Sequence, residues 1–161
     1  MRNTKTGPEG RKGSLIRKPQ QFLVTVTPVG TKYRINQKEI AEQVRRILKA
    51  ERKAGKVDVI LAGDKLLKKL NQKFAGKDKI TDVLSFPLDE SPGEKSNYLG
   101  EIYISPGQAQ RQAKEYKVTL QKEVLRLATH GTLHLLGYDH KNASQVKIMQ
   151  RKEEQYLNAK T

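Results

Sequence analysis

All three histidines of the 161-residue chain, His130, His134 and His140, fall within the stretch HGTLHLLGYDH. On an α-helix, residues four apart are separated by about 40° around the axis and about 6 Å along it, so His130 and His134 project side by side. Gly137 follows, where the chain can adopt a left-handed conformation and leave the helix. The next three residues can then return His140 to the same point. Three neutral imidazoles make an open site suited to Zn²⁺, with Zn–N distances of about 2.1 Å and a fourth position for water. Water at such a site has a pKa of about 7, which makes hydroxide available at neutral pH. The predicted chemistry is hydrolysis without a serine or cysteine nucleophile. With no cysteine in the chain, disulfide partners and thiolate metal sites are excluded as well.

Metzincin proteases use the same histidine spacing in H-E-x-x-H-x-x-G-x-x-H. Here Gly131 stands where they carry the glutamate that serves as general base. A metal-dependent, peptidase-like hydrolase would keep the metal cage and lose its proton-transfer group.

The elements that must position these residues alternate in type. FLVTVT (22–27) and VDVILA (57–62) read as strands. Between them Ile40, Val44, Ile47 and Leu48 recur at helical spacing. Asp64 can cap a helix carrying Leu66, Leu67 and Leu70. A third strand is expected at Val83–Phe86, closed by Pro87, and a fourth at LGEIYI (99–104). Ser105-Pro106 opens a helix by its N-cap hydroxyl and first-turn proline. Another helix runs from Thr119 through the histidines, and Asn142 or Ser144 opens the last one. The expected fold class is α/β (α+β), a single mixed sheet of about four strands covered by about five helices. Residues 1–21 read as a basic flexible N-terminal tail and 22–161 as one metallohydrolase-like domain.

Lys and Arg number 32 against 17 Asp and Glu, a net charge of +15. That excess calls for a polyanionic partner, with RNA, DNA and an anionic membrane surface all open. No apolar run approaches the roughly 20 residues that span a bilayer, and no signal-peptide core is present, so a cytoplasmic protein is expected. The cluster Arg45, Arg46, Lys49, Arg52 and Lys53 is expected to form a basic helix face.

HGTLHLLGYDH, together with GKDKITDVLSFP (76–87), Leu70-Asn71 and LGEIYIS (99–105), closely resembles the YbeY family. These are metal-dependent endoribonucleases associated with ribosomal RNA maturation, and the likeness runs from about Phe22 to Tyr156. It implies one zinc ion per chain held by His130, His134 and His140, and single-stranded RNA as substrate. It also implies a role in maturing small-subunit ribosomal RNA. The rival reading is an assembly factor of the same fold in which the zinc is structural. Ala75 favours that rival, because LNQKFAGKD carries alanine where the family pattern L-N-x-x-[YF]-R-G-K-D has arginine. A guanidinium there could grip phosphate through its planar fork of donors, and alanine cannot. Ile80 likewise replaces the family's proline.

Within the second motif, Asp82 and Ser85 are candidate catalytic residues lining a cleft beside the metal. Asp82 can orient water or a ligand histidine, or simply cap the turn before the strand. Asp139 can accept the free N–H of a ligand imidazole, or form the turn after Gly137. Lys73, Lys77 and Lys79 are candidate RNA contacts, acting as point charges. Glu101 reads as an exposed strand residue.

Overall fold

The computed structural model describes residues 19–75, 81–88 and 97–158. Four strands and five helices follow in the order β1 (Phe22–Val29), α1 (Gln37–Ala50), β2 (Gly55–Ala62), α2 (Asp64–Ala75), β3 (Val83–Pro87), β4 (Tyr98–Ile104), α3 (Pro106–Tyr116), α4 (Leu120–Leu135) and α5 (Ala143–Leu157). The strands form one mixed sheet in the order β1-β2-β4-β3. β1 and β4 run parallel to β2, and β3 pairs antiparallel with β4. This is the expected α+β class, and β1-α1-β2 is the predicted strand-helix-strand unit.

The sheet buries one face against helices, and the alternation along the strands shows which. Val57, Val59 and Leu61 of β2 are fully buried, as are Ile102 and Ile104 of β4. They pack against Ile40, Val44 and Leu48 of α1 and Val124, Leu127 and Ala128 of α4. Fully burying one such Val, Ile or Leu side chain contributes about 1.5–3 kcal/mol. A second cluster joins the outer surfaces of α1 and α4 to α5 through Ile47, Leu133, Met149 and Tyr156. The opposite face of the sheet carries Thr25, Asp58, Glu101 and Tyr103. There Tyr98 Oη donates to Asp58 at 2.7 Å and Tyr103 Oη to Glu101 at 2.8 Å. Glu101 therefore lies across the sheet from the histidine helix. Both outermost strands contain a proline near their C-terminal end, Pro28 in β1 and Pro87 in β3.

Helix starts follow their capping residues. Asn36, Ser105, Thr119 and Asn142 each accept a hydrogen bond from the backbone N–H three residues on, which satisfies a donor the helix itself leaves unpaired. Of the two candidates for α5, Asn142 is the cap. Asp64 departs from expectation. It sits inside the first turn of α2, where Gly63 O accepts from Leu66 and Leu67, and its carboxylate reaches across to Ser105 Oγ at 2.5 Å and Arg111 at 2.9 Å. A tertiary hydrogen bond has replaced the local one and ties the start of α2 to the start of α3.

Candidate metal centre

α4 carries His130 and His134 in its last two turns. The turn ends at Gly137, whose φ of 96° lies in the left-handed region that favours glycine. Gly137 N–H donates to His134 O and Tyr138 N–H to Leu133 O, both at 3.0 Å, so the exit is locked by its own backbone. The returning segment brings His140 within 4.9 Å of His134 and 5.8 Å of His130, ring centre to ring centre. One nitrogen from each ring lies within 4.8 Å of the other two, and the three residues together could hold a metal ion.

The hydrogen bond on His130 leaves its other ring nitrogen able to bind a cation. A neutral imidazole has one N–H and one lone pair. His130 Nδ1 is hydrogen-bonded to Glu153 Oε1 on α5. A carboxylate accepts only, so the ring's proton is on Nδ1 and Nε2 presents a bare lone pair. That lone pair faces His134 Nε2 at 3.1 Å. Burial, followed by the charges of His130 and His140, pushes the His134 pKa below its ordinary value of 6.5. The ring is thus neutral at pH 7, as ligation requires.

An open cleft of about 530 Å³ surrounds the rings, walled by residues 81–85, Pro87 and the three histidines. Asp82 and Ser85 are both in that wall, and both are engaged. Asp82 Oδ1 accepts from Val83 N–H at 2.8 Å and Oδ2 from Gln112 Nε2 at 3.2 Å, while its carbonyl accepts from Ser105 N–H. Its carboxylate pins the entry of β3 to α3. Ser85 Oγ donates to Gly131 O at 2.9 Å, which fastens β3 to the histidine helix.

Gly131 has a packing role. A Cβ built there would lie 2.7 Å from Ile102 Cγ2, 3.1 Å from Ser85 Oγ and 3.2 Å from Val83 Cγ2. The helix approaches the sheet at this point more closely than any side chain allows, so a glutamate cannot occupy it without displacing α4.

Asp139 turns to its own loop, where Oδ1 accepts from His140 N–H at 2.8 Å and Oδ2 lies 3.5 Å from Lys141 Nζ. Glu153 holds the imidazole instead. Four residues after Met149 and three before Tyr156, Glu153 lies on the edge of the buried stripe of α5, but nothing in that spacing names its partner.

Among the candidate RNA contacts, Lys73 lies in the last turn of α2 with Nζ 5.3 Å from the Phe74 ring centre. Lys77 and Lys79 lie outside the described residues, as do residues 1–18 of the expected tail. The basic face of α1 is divided in its engagements. Arg45 Nε donates to Phe22 O at 3.2 Å, and Arg46 turns inward to Tyr156 O at 2.6 Å.

The family model for endoribonuclease YbeY matches residues 27–161. The endoribonuclease YbeY of Sulfurihydrogenibium sp. (strain YO3AOP1) is 49% identical over 94 residues, covering 58% of this chain and 62% of that protein, so the match spans less than two thirds of that relative's length. The endoribonuclease YbeY of Pelotomaculum thermopropionicum is 42% identical over 124 residues, covering 73% of this chain and 82% of its own. In three dimensions, the solution structure of a Thermotoga maritima protein superposes with a TM-score of 0.59 at 34% identity, over 84% of this chain and 87% of that one. The match takes in nearly all of the described fold and the whole histidine segment, and the chain belongs to the endoribonuclease YbeY family.

Proposed function

We propose that the protein is a zinc-dependent endoribonuclease that cleaves single-stranded RNA in the maturation of small-subunit ribosomal RNA, acting in the cytoplasm. The observation that carries this reading is the convergence of His130, His134 and His140 on one cleft, in a chain of the endoribonuclease YbeY family. A net charge of +15 supports a polyanionic substrate, since phosphate contacts dominate affinity for nucleic acids. None of the described helices is long and apolar enough to cross a membrane.

The three histidines would hold the ion through the nitrogens facing the cleft. A bound zinc ion supplies Lewis-acid chemistry, polarising a phosphoryl oxygen and acidifying water. The chain's own residues set the geometry. Glu153 fixes the His130 ring, the locked turn at Gly137 returns His140, and Ser85 with Gly131 holds α4 against β3. Lys73, Lys77 and Lys79 offer positive charge to the RNA backbone near the second motif.

Ala75 favours a second reading, a ribosome assembly factor with a structural metal, because the residue that would present a planar guanidinium to phosphate is absent. The two separate in one experiment, which measures metal content and cleavage of single-stranded ribosomal RNA for wild type, His134→Ala and Ala75→Arg. The nuclease reading expects one zinc per wild-type chain, cleavage that His134→Ala abolishes, and faster cleavage by Ala75→Arg. Wild type that holds zinc and cuts no better than His134→Ala sinks the nuclease reading and favours the assembly factor. Wild type without stoichiometric metal, and indifferent to chelator, sinks the ligand assignment itself.

A further inference from the structure

We infer that Glu153 is a positioning residue for the metal centre: by accepting the Nδ1–H of His130 it selects the ring tautomer whose Nε2 lone pair faces the cleft. The inference rests on the metal-binding reading above and extends it to a residue on another helix, twenty-three positions along the chain.

The geometry that carries it comes from both sides of the contact. Glu153 and His130 are each mostly shielded, with side chains 19% and 27% exposed, so water competes weakly for this hydrogen bond. The carboxylate is delivered by a helix rather than a loop. α5 is seated through Met149 and Tyr156, which are 3% and 4% exposed. It is tied down a second time by Lys152, which reaches Glu51 at 2.9 Å on α1. Without a partner on Nδ1, the neutral ring would be free to place its proton on Nε2, where it would point at His134 and block ligation. A carboxylate removes that alternative, because it can only accept. Its negative charge also makes the imidazole a more basic ligand, and partners of this kind typically change metal affinity by about 10–100-fold. Asp139 is closer in sequence but is occupied by its own backbone, which leaves Glu153 as the carboxylate in contact with a histidine ring among the described residues.

The test uses full-length wild type, Glu153→Ala and Glu153→Gln, with zinc affinity measured by chelator competition. The tautomer of His130 is read from its ring ¹⁵N shifts in metal-free protein at pH 8. Expected are an Nδ1–H tautomer in wild type, an affinity loss of about 10–100-fold in Glu153→Ala, and a smaller loss in Glu153→Gln, whose amide oxygen still accepts. Glu153→Gln is nearly isosteric and decides the matter should the alanine variant fail to fold. An Nε2–H tautomer in wild type overturns the inference. So does a Glu153→Ala affinity within about twofold of wild type. Because the tautomer is read without metal, wild type that takes up no zinc defeats the zinc reading while the Glu153–His130 pairing is still decided.

Discussion

Two polar clusters sit on either side of α5, supplied by adjacent residues. Lys152 joins Tyr138 and Tyr156 in donating to the carboxylate of Glu51 at the C-cap of α1. Glu153 faces the other way, to His130 and the converging rings. In the Glu51 cluster, one acceptor receives three donors and the hydrogen-bonding is closed. In the histidine cluster, the carboxylate engages the outer nitrogen of one ring, and the Nε2 atoms of His130 and His134 lie 3.1 Å apart. Both clusters pair a carboxylate with neighbouring donors at the same helix, yet one converges on an acceptor its donors already serve and the other on three ring nitrogens that could hold a metal ion. What distinguishes the two is therefore what the polar groups converge on: a carboxylate served by three donors, or ring nitrogens close enough to share one ion.

The sharpest way to break the contrast is to remove one ring. His134→Ala should weaken zinc binding by more than the ~10–100-fold typical of losing a ligand's supporting partner, measured by chelator competition. It should leave the unfolding midpoint of the metal-free protein nearly unchanged. Glu51→Ala should do the opposite: a loss of about 2–3 kcal/mol in urea unfolding, since three donors lose a charged acceptor, with zinc affinity unchanged. A large drop in zinc affinity in Glu51→Ala would show that the two clusters are coupled through α5.

Gly131→Ala tests the scaffold beneath the rings. The added methyl meets Ile102 and Val83, and overpacking of this kind costs about 1–3 kcal/mol, to be read from chemical denaturation. Smaller again is the loss from Ser85→Ala, about 0.5–1.5 kcal/mol for one hydrogen bond to Gly131 O. If Ser85→Ala abolished RNA cleavage at unchanged zinc content and stability, its hydroxyl would have a chemical role beyond fastening.

Acid sharpens the comparison further. Burial opposes the charged form of Glu51, but the hydrogen bonds from Lys152, Tyr156 and Tyr138 outweigh it and hold its carboxyl below the ordinary 4.5. Its stabilising contribution is therefore fully present above about pH 4.5 and is lost as pH falls through the lower folded-state value. Stability curves of wild type and Glu51→Ala should converge over that acid range. Curves that stay parallel down to the lowest pH would mean Glu51 is not ionised in the fold.

The histidine cluster was legible because its geometry is local. Two ligands share a helix face, a glycine marks the exit, and three residues bring back the third, all without reference to another element. Caps such as Ser105 and Asn142 were legible for the same reason. Glu153 was not, because its contact depends on how α5 packs against α4, and no spacing within one helix encodes that. The sheet order was hidden too, since β4 inserts between β2 and β3 against chain order. Asp64 and Asp82 show the reverse limit. Each has the residue type and position of a local cap, yet their carboxylates are drawn to Ser105, Arg111 and Gln112 by tertiary neighbours.

Pro28 and Pro87 carry a consequence for how the protein behaves in crowded solution. An open sheet has two outer strands whose unpaired amides can template another chain. In this sheet those strands are β1 and β3, and each has a residue with no amide hydrogen to give. Because β3 runs antiparallel to the other strands, edge-to-edge stacking of copies is thereby interrupted near opposite ends of the two borders. A protein with a net charge of +15 gains from this colloidal safeguard, which works without any contribution from the histidine cluster.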